Sequence, residues 1–81
     1  MSYFVYMLLC ADGSYYTGST NNVARRFAIH CSGKGASYTR SHKPINIVYI
    51  EPLVDKSAAL KREHLLKQMT HKQKNELITR V

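Results

Sequence analysis

A chain of 81 residues predicts one domain, with no separate specificity module, and its 44% apolar content is too high for a disordered chain. Twelve Lys and Arg against five Asp and Glu give a formal charge of +7, which favours a polyanionic partner, nucleic acid foremost. The cysteines, Cys10 and Cys31, form no CxxC or Cys/His cluster, which argues against zinc; the N-terminus lacks the regions of a secretory signal, and the apolar run Tyr3–Cys10 is too short to cross a bilayer. A cytoplasmic protein with two reduced, buried thiols is the simple expectation.

Tyr3–Cys10 is apolar at nearly every position, as in a strand covered on both faces and central in its sheet. Asp12-Gly13 signals a hairpin turn, and Tyr15–Gly18 returns as a short antiparallel strand, so Tyr6 and Tyr16 lie on neighbouring strands. Ser19-Thr-Asn-Asn22 is a run of capping residues, and a helix follows over about Asn22–Cys31. Val23, Phe27 and Cys31, with Ala24 and Ala28, make its expected apolar face. Ser32-Gly-Lys-Gly35 ends that helix, and residues 36–44 read as a polar, basic loop with room for one helical turn. Ile45–Ile50 is a third strand. Asp55 caps a helix over about Lys56–Met69, and Thr70 with Gln73 forms a capping-box pattern for a last helix. The order β-β-α-β-α-α predicts an α+β domain, a three-stranded sheet flanked by helices.

Cleaving a phosphodiester requires a base or oriented water, positive charge on the phosphate, and help for the leaving oxygen. Arg26 and His30 are spaced i, i+4 on the first helix and share one side, beside Val23 and Phe27. In isolation such a pair is more often a solvated rim than a phosphate clamp. Glu63 has Ala59, Leu60 and Leu66 one turn away, so it belongs on or beside the packed side of its helix. A carboxylate there is costly unless paired, with Lys67 or Arg62, or bound to a cation. Asp12, Glu51, Asp55 and Glu76 have turn, strand-end, cap and final-helix places, which leaves Glu63 as the carboxylate for a metal. One carboxylate suits Mg²⁺, which keeps most of its waters. Strand tyrosines such as Tyr6 and Tyr16 are ordinarily packing residues, and Gly18 either makes a turn or admits a phosphate close to the backbone.

Taken together, Phe4-Val5-Tyr6, Tyr16-Thr17-Gly18, Arg26, His30 and Glu63 resemble the signature of the GIY-YIG nuclease superfamily. The first triplet departs from Gly-Ile-Tyr at its first residue, and Thr17 stands where Ile is usual. The segments Asp12–Thr20 and Gly33–Arg40 are most similar to the small stand-alone bacterial branch, close to the nuclease domains of excision-repair incision enzymes and junction resolvases. The resemblance implies a DNA-repair type of endonuclease, hydrolysing one DNA strand with one Mg²⁺ or Mn²⁺. It implies that Arg26 clamps the scissile phosphate, Glu63 holds the metal, Tyr6 or Tyr16 handles the nucleophile's proton, and His30 carries a proton or contacts phosphate. Many repair and homing members have an asparagine after the glutamate, and Asn75 is the only candidate for it here.

Arg25, Lys34, Arg40 and Lys43 surround this constellation in sequence, with Tyr38 among them. Such groups track phosphates, and a tyrosine stacks on an unpaired base; a solvated loop with one packed tyrosine is the plainer reading. The alternative functions are a nucleic-acid-binding module without catalysis, or an accessory subunit that acts with a protein partner. DNA is favoured over RNA as the substrate.

Overall fold

The computed structural model describes residues 2–80. Strand β1 (Tyr3–Cys10) lies between β2 (Tyr15–Thr20) and β3 (Pro44–Leu53), antiparallel to both. Its central place follows from its sequence, since Val5, Tyr6, Met7, Leu8 and Cys10 are all buried. The β1–β2 turn is tied by Asp12, whose carboxylate accepts from the backbone N–H (3.0 Å) and hydroxyl (2.6 Å) of Ser14. Helices α1 (Val23–Cys31) and α2 (Ser37–Ser41) connect β2 to β3, and α3 (Lys56–Lys67) and α4 (His71–Thr79) follow. The order is β-β-α-α-β-α-α, an α+β fold.

Several boundaries differ from those expected, for local reasons. The strand β3 runs on through Pro52, which pairs with Phe4. A proline is tolerated there because β3 is an edge strand whose outer side needs no ladder donor. The segment 36–44 holds the helical turn its sequence allows, α2, whereas β2 continues past Gly18 to Thr20, whose hydroxyl accepts from the Asn22 N–H at 3.1 Å. The cap itself is Asn22, accepting from Arg25 N–H at 3.1 Å. Helix α3 stops at Lys67, earlier than Met69, and Asp55 and the Thr70/Gln73 capping box sit as the sequence predicts.

The sheet has two differently packed faces. Val5, Met7 and Tyr49 meet Ala59 and Leu66 of α3, with Leu77 and Ile78 of α4 against them. On the opposite face Tyr6 meets α1. Of the apolar face expected for α1, Val23 and Phe27 are half-buried, but Ala24, Ala28 and Cys31 are exposed, and the fully buried residue is His30. Cys10 is buried as expected, whereas Cys31 lies at the solvent-facing end of α1. Among the described residues, no helix is long and apolar enough to cross a membrane.

Candidate active site

The register of the hairpin places Tyr6 opposite Gly18 and Leu8 opposite Tyr16, so both tyrosines share the face toward α1. Their ring centroids are 6.3 Å apart. Gly18 is required here for space. A Cβ on it would stand 2.5 Å from the Tyr6 hydroxyl and 2.7 Å from its ring carbon. The bare backbone therefore lets the Tyr6 ring lie across β2.

The Asn22 cap starts α1, which sets Arg26 and His30 one turn apart over the tyrosines. His30 is buried because both ring nitrogens are partnered: Nε2 lies 2.9 Å from the Tyr6 hydroxyl and Nδ1 lies 2.7 Å from Thr39 Oγ1. Thr39 in turn donates to the Ala36 carbonyl at 2.9 Å. The backbone of Gly35 closes over the imidazole so tightly that a Cβ there would collide with Nδ1. Burial, and then the positive charge of Arg26, lower the His30 pKa from its ordinary 6.5, which keeps the ring neutral at pH 7. Burial raises the Tyr6 pKa well above the ordinary phenol range; Tyr16 adds to this and Arg26 opposes it. Burial also raises the Tyr16 pKa, against the attraction of Lys67 and Arg26. Both phenols are therefore protonated at neutral pH.

Glu63 approaches from α3, past the edge strand β2. Its side chain is 16% exposed and bonded at both oxygens: Ser19 Oγ donates to Oε1 at 2.5 Å, and Lys67 Nζ lies 2.7 Å from Oε2. Arg62, the other suggested partner, pairs instead with Glu51 at 3.0 Å. Tyr6, Tyr16, Gly18, Arg26, His30, Lys34 and Glu63 line one open cleft of about 390 Å³. Its wall is cationic at Arg26 and Lys34 and anionic at Glu63, a division suited to phosphate on one side and a cation on the other.

The donors fit a hard divalent ion held loosely. Among the described residues no three His, Cys, Asp or Glu side chains gather in a metal-binding group, which disfavours a closed zinc cage. A lone carboxylate beside an open cleft suits Mg²⁺, which retains waters and takes oxygens from phosphate. Lys67, which pairs with Glu63, is itself half exposed.

Not every residue singled out in the sequence reaches the cleft. Arg25 lines a smaller crevice beside it with Thr20, Asn22, Arg26 and Ile29. Arg40 and Lys43 are exposed on α2 and just before β3, outside the cleft lining. Tyr38 stacks on His42 at 4.0 Å and on Tyr16 at 5.9 Å, which makes it a support for Tyr16. Asn75 also lies outside the cleft lining, where its side-chain carbonyl accepts from the Tyr15 hydroxyl at 3.0 Å. Ser19, Gly35 and Thr39 gain parts in the site that the sequence did not signal. Ser19 read as one of a run of caps, Gly35 as part of a helix stop, and Thr39 as one residue of a polar loop.

The model of the GIY-YIG catalytic domain matches residues 2–76. The chain belongs to the GIY-YIG family. Among curated relatives of this GIY-YIG chain, a UPF0213 protein of Desulfotalea psychrophila is 49% identical over 78 residues, covering 95% of this chain and 71% of the relative. A UPF0213 protein of Natronomonas pharaonis is 46% identical over 76 residues, covering 94% of this chain and 89% of the relative. The solution NMR structure of a UPF0213 protein from Bacillus halodurans is similar with a TM-score of 0.61 at 40% identity, over 98% of this chain and 84% of that one. A protein of E. faecalis, also solved by NMR, gives 0.65 at 39% identity with the same coverage. The departures at Phe4 and Thr17 thus leave family membership intact.

Proposed function

We propose that this GIY-YIG protein is a Mg²⁺- or Mn²⁺-dependent endonuclease that hydrolyses phosphodiester bonds in DNA and selects by strand structure. The observation that carries the proposal is the convergence of Tyr6, Tyr16, Arg26, His30 and Glu63 on one cleft, from four different elements.

Arg26 grips the scissile phosphate, neutralising its charge and stabilising the five-coordinate transition state. A water molecule in the cleft attacks phosphorus. As its oxygen bonds to phosphorus, one of its protons passes to the Tyr6 oxygen while the Tyr6 proton passes to His30 Nε2, 2.9 Å away. The relay avoids a free phenolate, in keeping with the raised Tyr6 pKa. It ends on a neutral imidazole, the group suited to accept a proton near neutral pH. The bond from phosphorus to the leaving ester oxygen breaks, and that oxygen takes a proton from solvent at the open mouth. Tyr16, half-buried beside His30 with ring centroids 5.0 Å apart, orients the water or a phosphate oxygen. Glu63 would hold the divalent ion, which when bound supplies further charge stabilisation to the phosphate and leaving oxygen. Lys34 lines the same cleft and extends the phosphate-binding wall.

The test is incubation of purified protein with junctions, flaps, nicked and intact duplexes, and single strands, with and without Mg²⁺. Cleavage that needs Mg²⁺ and favours a branched or nicked substrate is expected. Binding without cleavage of any substrate would replace this reading with a nucleic-acid-binding module.

A further inference from the structure

Thr39 stands outside the cleft lining, and the part it plays rests on the nuclease reading of the cleft. Thr39 is 2% exposed, as is His30, so its hydroxyl must find its partners within the protein. Its first partner is the Ala36 carbonyl at 2.9 Å. In that bond the carbonyl accepts and the single hydroxyl proton of Thr39 points to it. Toward His30 Nδ1, 2.7 Å away, Thr39 Oγ1 can then only accept. With the hydroxyl so oriented Nδ1 carries the proton, and in a neutral imidazole Nε2 is left with the lone pair. Nε2 faces the Tyr6 hydroxyl at 2.9 Å, so Tyr6 donates and His30 accepts. The polarity of the chain from Tyr6 to His30 to Thr39 to Ala36 is therefore set at its far end by a backbone carbonyl.

We infer that Thr39 is a positioning residue that locks His30 in the Nδ1–H tautomer, so that Nε2 is the basic nitrogen offered to Tyr6. In the other tautomer Nε2–H would donate to Tyr6, and the relay could not take a proton from it. The surroundings leave little latitude: Gly35 seats against the imidazole, and α2 holds Thr39 in place through its Arg40 N–H bond to the same Ala36 carbonyl at 3.2 Å. That second bond also means that loss of the Thr39 hydroxyl leaves the Ala36 carbonyl with a partner.

The experiment combines the tautomer of His30, read from long-range proton–nitrogen NMR of ¹⁵N-labelled full-length protein, with single-turnover cleavage of the best DNA substrate. Wild type is expected to carry the proton on Nδ1. Thr39→Val, similar in shape but without a hydroxyl, is expected to shift His30 to the Nε2–H form. Its cleavage rate should fall by about 100-fold, the lower range for lost general acid–base catalysis, with DNA affinity unchanged. Thr39→Ser, which retains the hydroxyl, should restore both tautomer and rate. A wild-type Nε2–H tautomer would overturn the inference without any variant, and so decides the matter even if Thr39→Val fails to fold. An unchanged tautomer in Thr39→Val, or a changed tautomer with unchanged cleavage, would overturn it too. If wild type cleaves nothing, the nuclease reading fails, and the spectra still decide the tautomer lock.

Discussion

His30 shows how one polar residue becomes part of a core. Its ring is buried because Tyr6 and Thr39 satisfy both nitrogens, and the same burial lowers its pKa. The unfolded chain takes up a proton near the ordinary histidine value of 6.5, while the folded protein resists protonation until a lower pH. The contribution to stability is thus complete above pH 6.5 and is lost progressively as pH falls toward the lowered folded value. The melting temperature of wild type should decline more between pH 7 and pH 5 than that of His30→Gln; equal declines would contradict the linkage. Gly18 sets a second residue-scale constraint. Gly18→Ala drives a methyl into the Tyr6 ring, and such overpacking costs about 1–3 kcal/mol. Chemical denaturation should show that loss, accompanied by slower cleavage because the Tyr6 hydroxyl is displaced from His30. The spacing of the signature residues was readable, but the environment of His30 was not. Thr39 lies nine positions away on a short helix, with no periodicity to tie it to the ring.

Elements with strong local chemistry were legible. The boundaries of β1 follow from an unbroken apolar run, and Asp55 and Thr70 start their helices by side-chain acceptance of backbone N–H groups. Where tertiary structure decides, local reading failed. The end of β3 was set by pairing with β1 through Pro52 to Leu53, which its own sequence does not announce. Helix α1 misled most, because Cys31 and the alanines looked apolar while the partnered His30 is what packs inward. The Asn22 cap fixes where α1 begins and hence where Arg26 and His30 stand. Asn22→Ala should cost about 0.5–2 kcal/mol of stability, measured by denaturation. It should also lower the cleavage rate more than a surface substitution of equal cost placed in α4.

At the scale of the whole molecule, a formal charge of +7 sits on a body with principal extents of 30 × 27 × 19 Å. Positive groups flank the cleft at Arg25, Arg26 and Lys34, and further ones stand exposed at Arg40 and Lys43. DNA affinity should fall steeply as salt rises, because bound phosphates release their counterions. Arg40→Ala with Lys43→Ala should reduce that slope and weaken binding with little change in melting temperature; salt-independent binding would refute this. The central claim, that the cleft is a metal-assisted phosphodiesterase site, rests on Glu63. Glu63→Gln gives up the pairing with half-exposed Lys67, while its amide oxygen can still accept from Ser19 Oγ. The most direct measurement is the Mg²⁺-dependent cleavage rate of wild type and Glu63→Gln on the same branched DNA, with binding measured alongside. The predicted result is a rate lowered by orders of magnitude with DNA binding retained; cleavage at the wild-type rate by Glu63→Gln would contradict the account.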